Sequence, residues 1–274
     1  MRKVKLAVLV SSVFVLVLAL TIPVSAGMLI PVSEKAKEKS KGIENSPVIS
    51  QVAEGLVINT PGLDRIVYIH YKKGFAKPPW AGGGKDKNGS KCYGFLVNGA
   101  KWKDLPQDLV IDPDYSGLSQ TNVVSAITAG AEEWAGNTSA DLYGDYSVVN
   151  DASWDDTVPD GRNELLFGNY SEPGVIGVTI AWGYFSGPPK TREIVEFDIL
   201  FDTDYTWGDA TIDSSVMDLQ NIATHELGHG FGLGDLYELS CSEETMYGYS
   251  DYGETQKRDL NSGDIIGIQK LYGM

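Results

Sequence analysis

Two histidines four residues apart, in the segment HELGH at residues 225–229, limit the possible structures of this chain more sharply than its composition does. On a helix, His225 and His229 lie one turn apart on the same face. Neutral imidazole is a good zinc ligand, and a catalytic zinc takes three protein ligands and leaves one position open. The segment therefore predicts a zinc site on a helix, with Glu226 beside the open position as general base. A chance pairing is the alternative for so short a pattern.

The third zinc ligand must come from elsewhere in the chain. Asp235 is the best candidate, because it follows His229 by six residues and three glycines lie between them. Glycine has the backbone freedom to end a helix, so Gly232 is expected to be the residue at which the chain turns back under the metal. A carboxylate oxygen binds zinc at about 2.0–2.2 Å. The remaining histidine, His70, lies in a predicted strand far upstream and is expected to be an ordinary strand residue.

The start of the chain predicts export. Three basic residues precede an apolar stretch, residues 6–24, which ends in small residues. This order is typical of a secretory signal peptide, here residues 1–26. The alternative is a retained membrane anchor, because about 18 apolar residues can span a bilayer. We therefore expect a secreted, extracellular protein with no stable membrane association after cleavage, or a cell-surface protein if the segment is retained.

Composition limits the partners. The chain carries 37 acidic and 22 basic residues, and its net charge is -15. This field repels the phosphates of nucleic acids, and no stripe of basic residues offsets it, so no nucleic-acid partner is expected. Apolar residues make up 42% of the chain, which is enough to bury a core. A monomer is the default expectation.

The chain has two cysteines, Cys92 and Cys241. Oxidation is permitted in an exported protein, so one disulfide between them is the default prediction. Two unpaired thiols are one alternative. Another is that Cys92 acts as a thiolate that blocks a metal in a latent form.

Alternation of apolar and polar residues predicts a sheet. Residues 176–182 and 195–201 are typical of half-buried strands. Further strand candidates lie at residues 66–71, 109–112, 146–149 and 164–167. Because a single face of each strand carries the apolar residues, helices are expected to cover the sheet.

Three helices are predicted, one from an N-cap at Ser119 to Trp134, one over about residues 214–230 and one over 262–272. The order of elements fits one α/β or α+β domain over residues 61–274, in which residues 61–100 form an N-terminal strand and loop extension. Residues 27–60 contain a mixed-charge run without an apolar face, which is typical of a tether or pro-segment.

These motifs resemble the metzincin zinc endopeptidases, whose signature is two histidines and a glutamate on a helix, a glycine turn and a third ligand. Met246, in TMYG at residues 245–248, resembles their Met-turn, in which the methionine packs beneath the zinc site. A simple core position is the alternative for this residue. Within the metzincins the likeness is closest to matrixins and covers roughly residues 100–273. It is carried by Lys101-Trp102, by FDTDYTW at residues 201–207 and by DIIGIQKLYG at residues 264–273.

The resemblance implies a metzincin fold, an α+β domain similar to an α/β sandwich. It has a twisted, mixed, five-stranded sheet, two long helices and a C-terminal helix. In such a fold an extended polypeptide substrate lies antiparallel to the edge strand of the sheet, and residues 175–182 are the candidate for that edge. The candidate substrate-binding residues are Val178, Thr179, Ile180 and Ala181 on this strand, with Tyr247 and Tyr249 in a pocket after Met246.

Structural calcium is also implied, because the family often holds Ca²⁺ with loop carboxylates, and Asp202 and Asp204 match that region. A solvated acidic loop is the alternative. Three features depart from matrixins. Asp235 stands where matrixins carry histidine, as in snapalysin-type metzincins. The matrixin pro-segment motif with its zinc-blocking cysteine has no match, and the histidines for a second, structural zinc are missing.

The hypothesis from the sequence is a secreted zinc-dependent endopeptidase that hydrolyses peptide bonds with metal-activated water and Glu226 as general base. One alternative is an exported, non-catalytic, metal-containing binding protein of the same fold. Another is a hydrolase that uses the same chemistry on a non-peptide amide.

Overall fold

The computed structural model describes residues 43–49, 55–59, 63–75 and 91–274. The predicted signal peptide, residues 1–26, lies outside the described residues, as does most of the predicted tether or pro-segment, residues 27–60. In the described part of the chain, no helix has the length and apolar character needed to cross a membrane.

The described residues form three α-helices and eleven strands. The helices are α1 (Gln120–Gly136), α2 (Leu219–Gly230) and α3 (Ser262–Tyr272). The strands are β1 (Val48–Ile49), β2 (Gly55–Asn59), β3 (Leu63–Lys72), β4 (Gln107–Ile111), β5 (Tyr143–Val148), β6 (Glu164–Tyr170), β7 (Val175–Tyr184), β8 (Glu193–Asp202), β9 (Trp207–Gly208), β10 (Met217–Asp218) and β11 (Tyr249–Ser250). Short 3₁₀ helices lie at Ile43–Asn45, Pro189–Thr191, Leu239–Cys241 and Gln256–Arg258.

The predicted α+β class, with a mixed sheet, two long helices and a C-terminal helix, is confirmed. The sheet has nine strands rather than five, in the order β11-β3-β7-β8-β6-β4-β5, with β1 beside β6 and β2 beside β3. The six strand candidates from the sequence lie in this sheet as β3 to β8. The other strands of the sheet are β1, β2 and β11, and β3 lies on the outer side of β7.

Strand β7 is antiparallel to both of its neighbours, β3 and β8, whereas β8, β6, β4 and β5 run parallel to one another. Each face of the sheet has its own core. One core includes Val123, Ile127 and Trp134, which lie on one face of α1. The opposite core contains Ile69 of β3 and Val178 of β7. The sheet is therefore buried on both faces along β3 and β7.

The helix boundaries follow from capping. Ser119 caps α1 by accepting the backbone N–H of Asn122, as predicted. Helix α2 begins at Leu219 rather than near residue 214, because Asp218 is its N-cap and accepts the backbone N–H of Asn221. Residues 213–218 instead form a turn and β10. Helix α3 begins with a capping box and has the predicted bounds.

Cys92 and Cys241 are joined by a disulfide that closes a loop with a sequence separation of 149 residues. The bond connects the chain just before residue 100 to the segment that follows Asp235. A closed loop restricts the unfolded chain, so the bond stabilises the folded state chiefly through the unfolded state.

Replacing both cysteines with alanine is expected to lower the free energy of unfolding by about 2–5 kcal/mol. Without the disulfide, the long loop regains conformational freedom in the unfolded chain, which stabilises the unfolded state. Denaturant titration followed by fluorescence measures this change. Reduced wild-type protein should show the same midpoint as the double variant. Equal midpoints for oxidised wild type and the variant would contradict the expectation.

Candidate metal site

Helix α2 and the turn after it bring three predicted residues together. His225 and His229 lie one turn apart on α2, which ends at Gly230. Gly232 has a φ of 101°, in the left-handed region that favours glycine, and this confirms it as the turning residue. A Cβ atom at this position would lie 2.9 Å from the carbonyl oxygen of Ala100, so a larger residue lacks room as well. The turn returns Asp235 to the histidines.

The three side chains meet at one point. Asp235 Oδ1 lies 3.2 Å from Nε2 of His225 and 3.4 Å from Nε2 of His229. All three atoms are buried and have no hydrogen-bond partner. A buried polar atom without a partner costs about 1–3 kcal/mol, so three of them at one point need an explanation. A cation bound between them would satisfy all three, and two imidazoles with a carboxylate are a donor set that suits zinc.

The other ring nitrogens fix the orientation of both imidazoles. Nδ1 of His225 lies 2.7 Å from the carbonyl oxygen of Thr245, and Nδ1 of His229 lies 3.0 Å from that of Leu233. A carbonyl only accepts, so each Nδ1 carries the proton and donates it. Each Nε2 then directs its lone pair towards Asp235, which is the arrangement that metal-binding histidines use.

The charges at this point are consistent with a site built for a cation. Burial lowers the pKa of His225 to about 4, so its ring is neutral. Burial also opposes ionisation of Asp235, but the two neighbouring imidazoles, His229 above all, outweigh it and hold the pKa of the carboxyl well below its usual range. For His229, burial lowers the pKa, yet the charge of Asp235 prevails and raises it. Asp235 is therefore ionised beside the neutral ring of His225, a charge state that suits a bound cation.

Glu226 points from α2 towards β7. Its Oε2 accepts a hydrogen bond of 2.5 Å from the Thr179 hydroxyl, and its Oε1 lies 3.2 Å from Nδ1 of His70. Burial raises the pKa of Glu226 to about 7. Gly177 makes room for the carboxylate, because a Cβ atom there would lie 2.8 Å from Oε1. The carboxylate is therefore held beside the histidines, and both of its oxygens are engaged.

The expectation that His70 is an ordinary strand residue is wrong. Its ring lies against that of His225, with 3.9 Å between the centroids. Two positions earlier on the same face of β3, the ring of Tyr68 stacks on that of His229 at 4.1 Å. Two features of the sequence point to this contact. The chain has only three histidines, and the alternation of side chains along a strand puts positions 68 and 70 on one face of the sheet.

Lys257 is a buried residue of this region that sequence reasoning missed. Its Nζ donates to the carbonyl oxygens of Tyr247 and Tyr249 and lies 3.3 Å from Nε2 of His70. Burial lowers the pKa of the lysine to about 7. Since Nε2 of His70 accepts from the lysine, its Nδ1 carries the proton that is donated to Glu226. Lysine is rarely buried, and no pattern in the sequence predicts this position.

Met246 lies beneath the helix that carries the two histidines. Its side chain is buried against Gly228 of α2, where an added Cβ atom would overlap the methionine sulfur. The turn is held by Asp264, which accepts the backbone N–H groups of Thr245 at 2.6 Å and of Met246 at 3.1 Å. The role of Met246 as the methionine of a Met-turn stays a prediction.

Replacing Gly228 with alanine is expected to destabilise the protein by about 1–3 kcal/mol, because overpacking outweighs the roughly 1 kcal/mol gained by removing glycine from a helix. Besides the methionine sulfur, the new Cβ atom would lie 2.7 Å from Cζ2 of the buried Trp134. Thermal unfolding measures the change. Gly136→Ala is the matched control, since nothing lies within 4 Å of its added Cβ atom. Equal stability changes at both positions would contradict tight packing at Gly228.

Comparisons with known proteins show a similarity in the part of the chain that contains α2 and α3. Residues 177–273 match the matrixin family of peptidases, Peptidase_M10. Over these residues the chain is similar to the matrixins. It is 41% identical to human matrilysin over 76 residues, which are 28% of the chain and 27% of the relative. It is 32% identical to human matrix metalloproteinase-25 over 98 residues, or 36% of the chain and 16% of the relative.

A plant relative shows the same pattern of similarity. Metalloendoproteinase 1 of Glycine max is 42% identical over 79 residues, which are 27% of the chain and 25% of the relative. The matrixin-like chain thus spans about a quarter or less of the length of these curated relatives. The use of Asp235 as third ligand stays a prediction.

The strand predicted as the substrate edge is not an edge in this structure. Residues 175–182 were expected to form the edge strand, but β3 pairs with β7 along its outer side, so β7 is internal. Four of the predicted substrate-binding residues are therefore buried between β3 and β8, namely Val178, Thr179, Ile180 and Ala181. Tyr247 and Tyr249 do follow Met246, and Tyr249 pairs with Tyr71 of β3.

The two acidic residues expected to hold calcium make hydrogen bonds within the protein, although Oδ2 of Asp202 is buried without a partner. Asp202 Oδ1 accepts the backbone N–H groups of Tyr170 and Asp204, and Asp204 accepts from the side chain of Asn169. Among the described residues, neither belongs to a group of three acidic or histidine side chains close enough to share a metal ion. Asp155, Glu196 and Asp198 do form such a group, with ligand atoms within 4.8 Å of one another.

This second acidic group makes stability depend on pH. Burial raises the pKa of Glu196 from 4.5 to about 7 and also raises that of Asp198. The folded state then holds protons that the unfolded state releases, so stability falls as pH rises between the unfolded and folded pKa values. The charged groups that face the pair are Asp155, Asp160, Arg162 and Glu164.

We expect the free energy of unfolding of chelator-treated protein to fall as the pH is raised from about 5 to about 8. Denaturant titrations at several pH values measure this slope. Glu196→Gln should reduce it, because the glutamine does not ionise, whereas Asp141→Asn at an exposed position should leave it unchanged. Stability that rises over this range in the wild type and in both variants would contradict the raised pKa values.

Proposed function

We propose that this chain is a zinc-dependent endopeptidase in which His225, His229 and Asp235 hold the metal and Glu226 is the general base. One observation carries the proposal. Three buried atoms without hydrogen-bond partners, two imidazole nitrogens and a carboxylate oxygen, converge on one point. The matrixin similarity over residues 177–273 supports the same reading.

When bound at these atoms, Zn²⁺ supplies a Lewis acid for the scissile carbonyl and makes water more acidic. Glu226 Oε1 takes the proton of the attacking water and later delivers it to the leaving amine, so the carboxylate is regenerated at the end of each turnover. Thr179 holds Oε2 of Glu226 by its hydroxyl, which orients Oε1 for this transfer. The carbonyls of Thr245 and Leu233 keep Nε2 of both imidazoles free of protons.

The proposal includes export, since a protein with the predicted signal peptide reaches an oxidising compartment in which a disulfide persists. The disulfide between Cys92 and Cys241 supports it. The natural substrate would be an extended polypeptide, which pairs through its backbone with a strand and is selected by side-chain pockets.

Calcium stays a prediction of the family resemblance, with Asp202 and Asp204 as its residues. Titrating Ca²⁺ while the melting temperature is followed tests it, because binding to the folded state alone raises the melting temperature. A flat response would remove calcium from the account.

Cleavage of casein and gelatin tests the endopeptidase proposal. The assay uses zinc-loaded wild type and a Tyr68→Ala/His70→Ala variant, which lacks the two rings that pack against the histidines. Cleavage should be lost with a chelator, return with zinc and resist serine-protease inhibitors. If neither zinc-loaded protein cleaves either substrate, the chain is better described as a metal-containing binding protein.

A further inference from the structure

The two carboxylate oxygens of Asp235 have different surroundings. Oδ1 faces the Nε2 atoms of His225 and His229, at 3.2 and 3.4 Å, and has no hydrogen-bond partner. Oδ2 instead accepts a hydrogen bond of 3.1 Å from the hydroxyl of Tyr237. The side chain of Asp235 is 2% exposed, so solvent does not compete for either oxygen. Tyr237 therefore distinguishes two oxygens that are equivalent in a free carboxylate.

The ring of Tyr237 is held in place by its own packing. Leu236, the residue before it, donates its N–H to the carbonyl of Met246 and accepts from the N–H of Gly248, both at 2.8 Å. Gly248 also leaves room for the ring, because a Cβ atom there would lie 2.5 Å from Cε1 of Tyr237. The ring of Tyr249 packs against that of Tyr237 edge to face, with 5.5 Å between the centroids. These contacts fix the hydroxyl without help from a metal ion.

The position of the hydroxyl matters because a carboxylate turns easily about the bond that carries it. The terminal torsion of an aspartate side chain has broad minima, so it is set only loosely unless a partner holds one oxygen. A hydrogen bond to Oδ2 selects the orientation in which Oδ1 of Asp235 faces the two imidazoles. Groups that hold a metal ligand in this way typically change metal affinity or activity by about 10- to 100-fold.

We propose that Tyr237 is a positioning residue of the metal site, whose hydroxyl holds Oδ2 of Asp235 so that Oδ1 binds the metal. This inference rests on the proposed zinc site, with Asp235 as its third ligand. Tyr237 does for the carboxylate what the carbonyls of Thr245 and Leu233 do for the two imidazoles. Each of the three ligands is then oriented through the atom that does not bind the metal.

The zinc affinity of Tyr237→Phe tests this role. Phenylalanine keeps the ring that packs on Tyr249 and removes only the hydroxyl. The affinity, measured by competition with a chelator of known affinity, should fall about 10- to 100-fold. Tyr272→Phe is the matched control, because it also removes a hydroxyl that is hydrogen-bonded within the protein, in this case to the backbone N–H of Trp102. The control should bind zinc as tightly as wild type.

A double-mutant cycle with Asp235→Ala separates orientation of the carboxylate from general loosening of the loop. Where Asp235 is already alanine, no carboxylate is left to orient, so adding Tyr237→Phe should change zinc affinity by less than about twofold. An equal fall in both backgrounds overturns the inference, because the hydroxyl would then act on the loop rather than through Asp235. Unchanged affinity in Tyr237→Phe alone also overturns it.

Cleavage of casein by the same zinc-loaded proteins, and by Tyr68→Ala/His70→Ala, separates this inference from the function on which it rests. If zinc affinity falls as expected in Tyr237→Phe but none of the proteins cleaves, the positioning role is supported and the endopeptidase is overturned. If casein is cleaved but zinc affinity is equal in wild type and Tyr237→Phe, the positioning role is overturned and the endopeptidase stands. A chain that takes up no zinc overturns both.

Discussion

Zinc affinity falls by more than about 100-fold when Asp235 is replaced with alanine. Loss of a group that only orients a ligand costs about 10- to 100-fold, and loss of a direct ligand should exceed that. Asp235 Oδ1 lies 3.2 Å from Nε2 of His225 and 3.4 Å from Nε2 of His229. The alanine variant therefore loses the carboxylate oxygen that both nitrogens face. Competition with a chelator of known affinity measures the change.

The control for this experiment is Asp141→Ala, which removes a carboxylate of the same kind at an exposed position. It should leave zinc affinity unchanged. Asp235→His should bind zinc again, since imidazole is an equivalent ligand and matrixins carry histidine at this position. An Asp235→Ala protein that binds zinc as tightly as wild type would show that the third ligand lies elsewhere.

Cleavage falls by about 100- to 10,000-fold when Glu226 is replaced with glutamine, the range over which general-base catalysis contributes. Glutamine has nearly the size of glutamate and keeps an oxygen that can accept from Thr179, but it cannot take a proton from water. The variant should therefore keep its zinc. The measurement is kcat/KM for an extended peptide in the Tyr68→Ala/His70→Ala background, with zinc content determined on the same sample.

Glu132→Gln, at an exposed position on α1, is the matched control and should retain full activity. Two results would count against the role of Glu226. Retained cleavage in Glu226→Gln would mean that another group takes the proton. Loss of zinc from that variant would mean that Glu226 binds the metal instead.

The candidate site could be predicted from the sequence because its parts are close along the chain. The period of a helix alone puts His225 and His229 on one face, and three glycines allow the turn that brings Asp235 back. The positive φ of Gly232 agrees with that reading. The boundaries of α2 were less accurate, because the N-cap at Asp218 was not recognised.

The position of β3 could not be predicted in the same way. Alternation in residues 66–71 indicates a strand, but it carries no information about which distant strand becomes the partner. One signal was present. Nine of the ten residues of β7 are buried, and its nearly continuous apolar run, VIGVTIAWGY, is typical of an internal strand rather than an edge. The contact between Lys257 and His70 has no such signal, because it depends on how two remote segments meet.

Zinc K-edge X-ray absorption on the full-length, zinc-loaded chain reports the ligands of the metal directly. We expect one zinc per chain, bound by two imidazole nitrogens at about 2.0–2.1 Å and by carboxylate oxygen at about 2.0–2.2 Å. The oxygen contribution should change to a third imidazole in Asp235→His. A chain that does not take up stoichiometric zinc, or a spectrum that is identical in wild type and Asp235→His, would contradict this expectation.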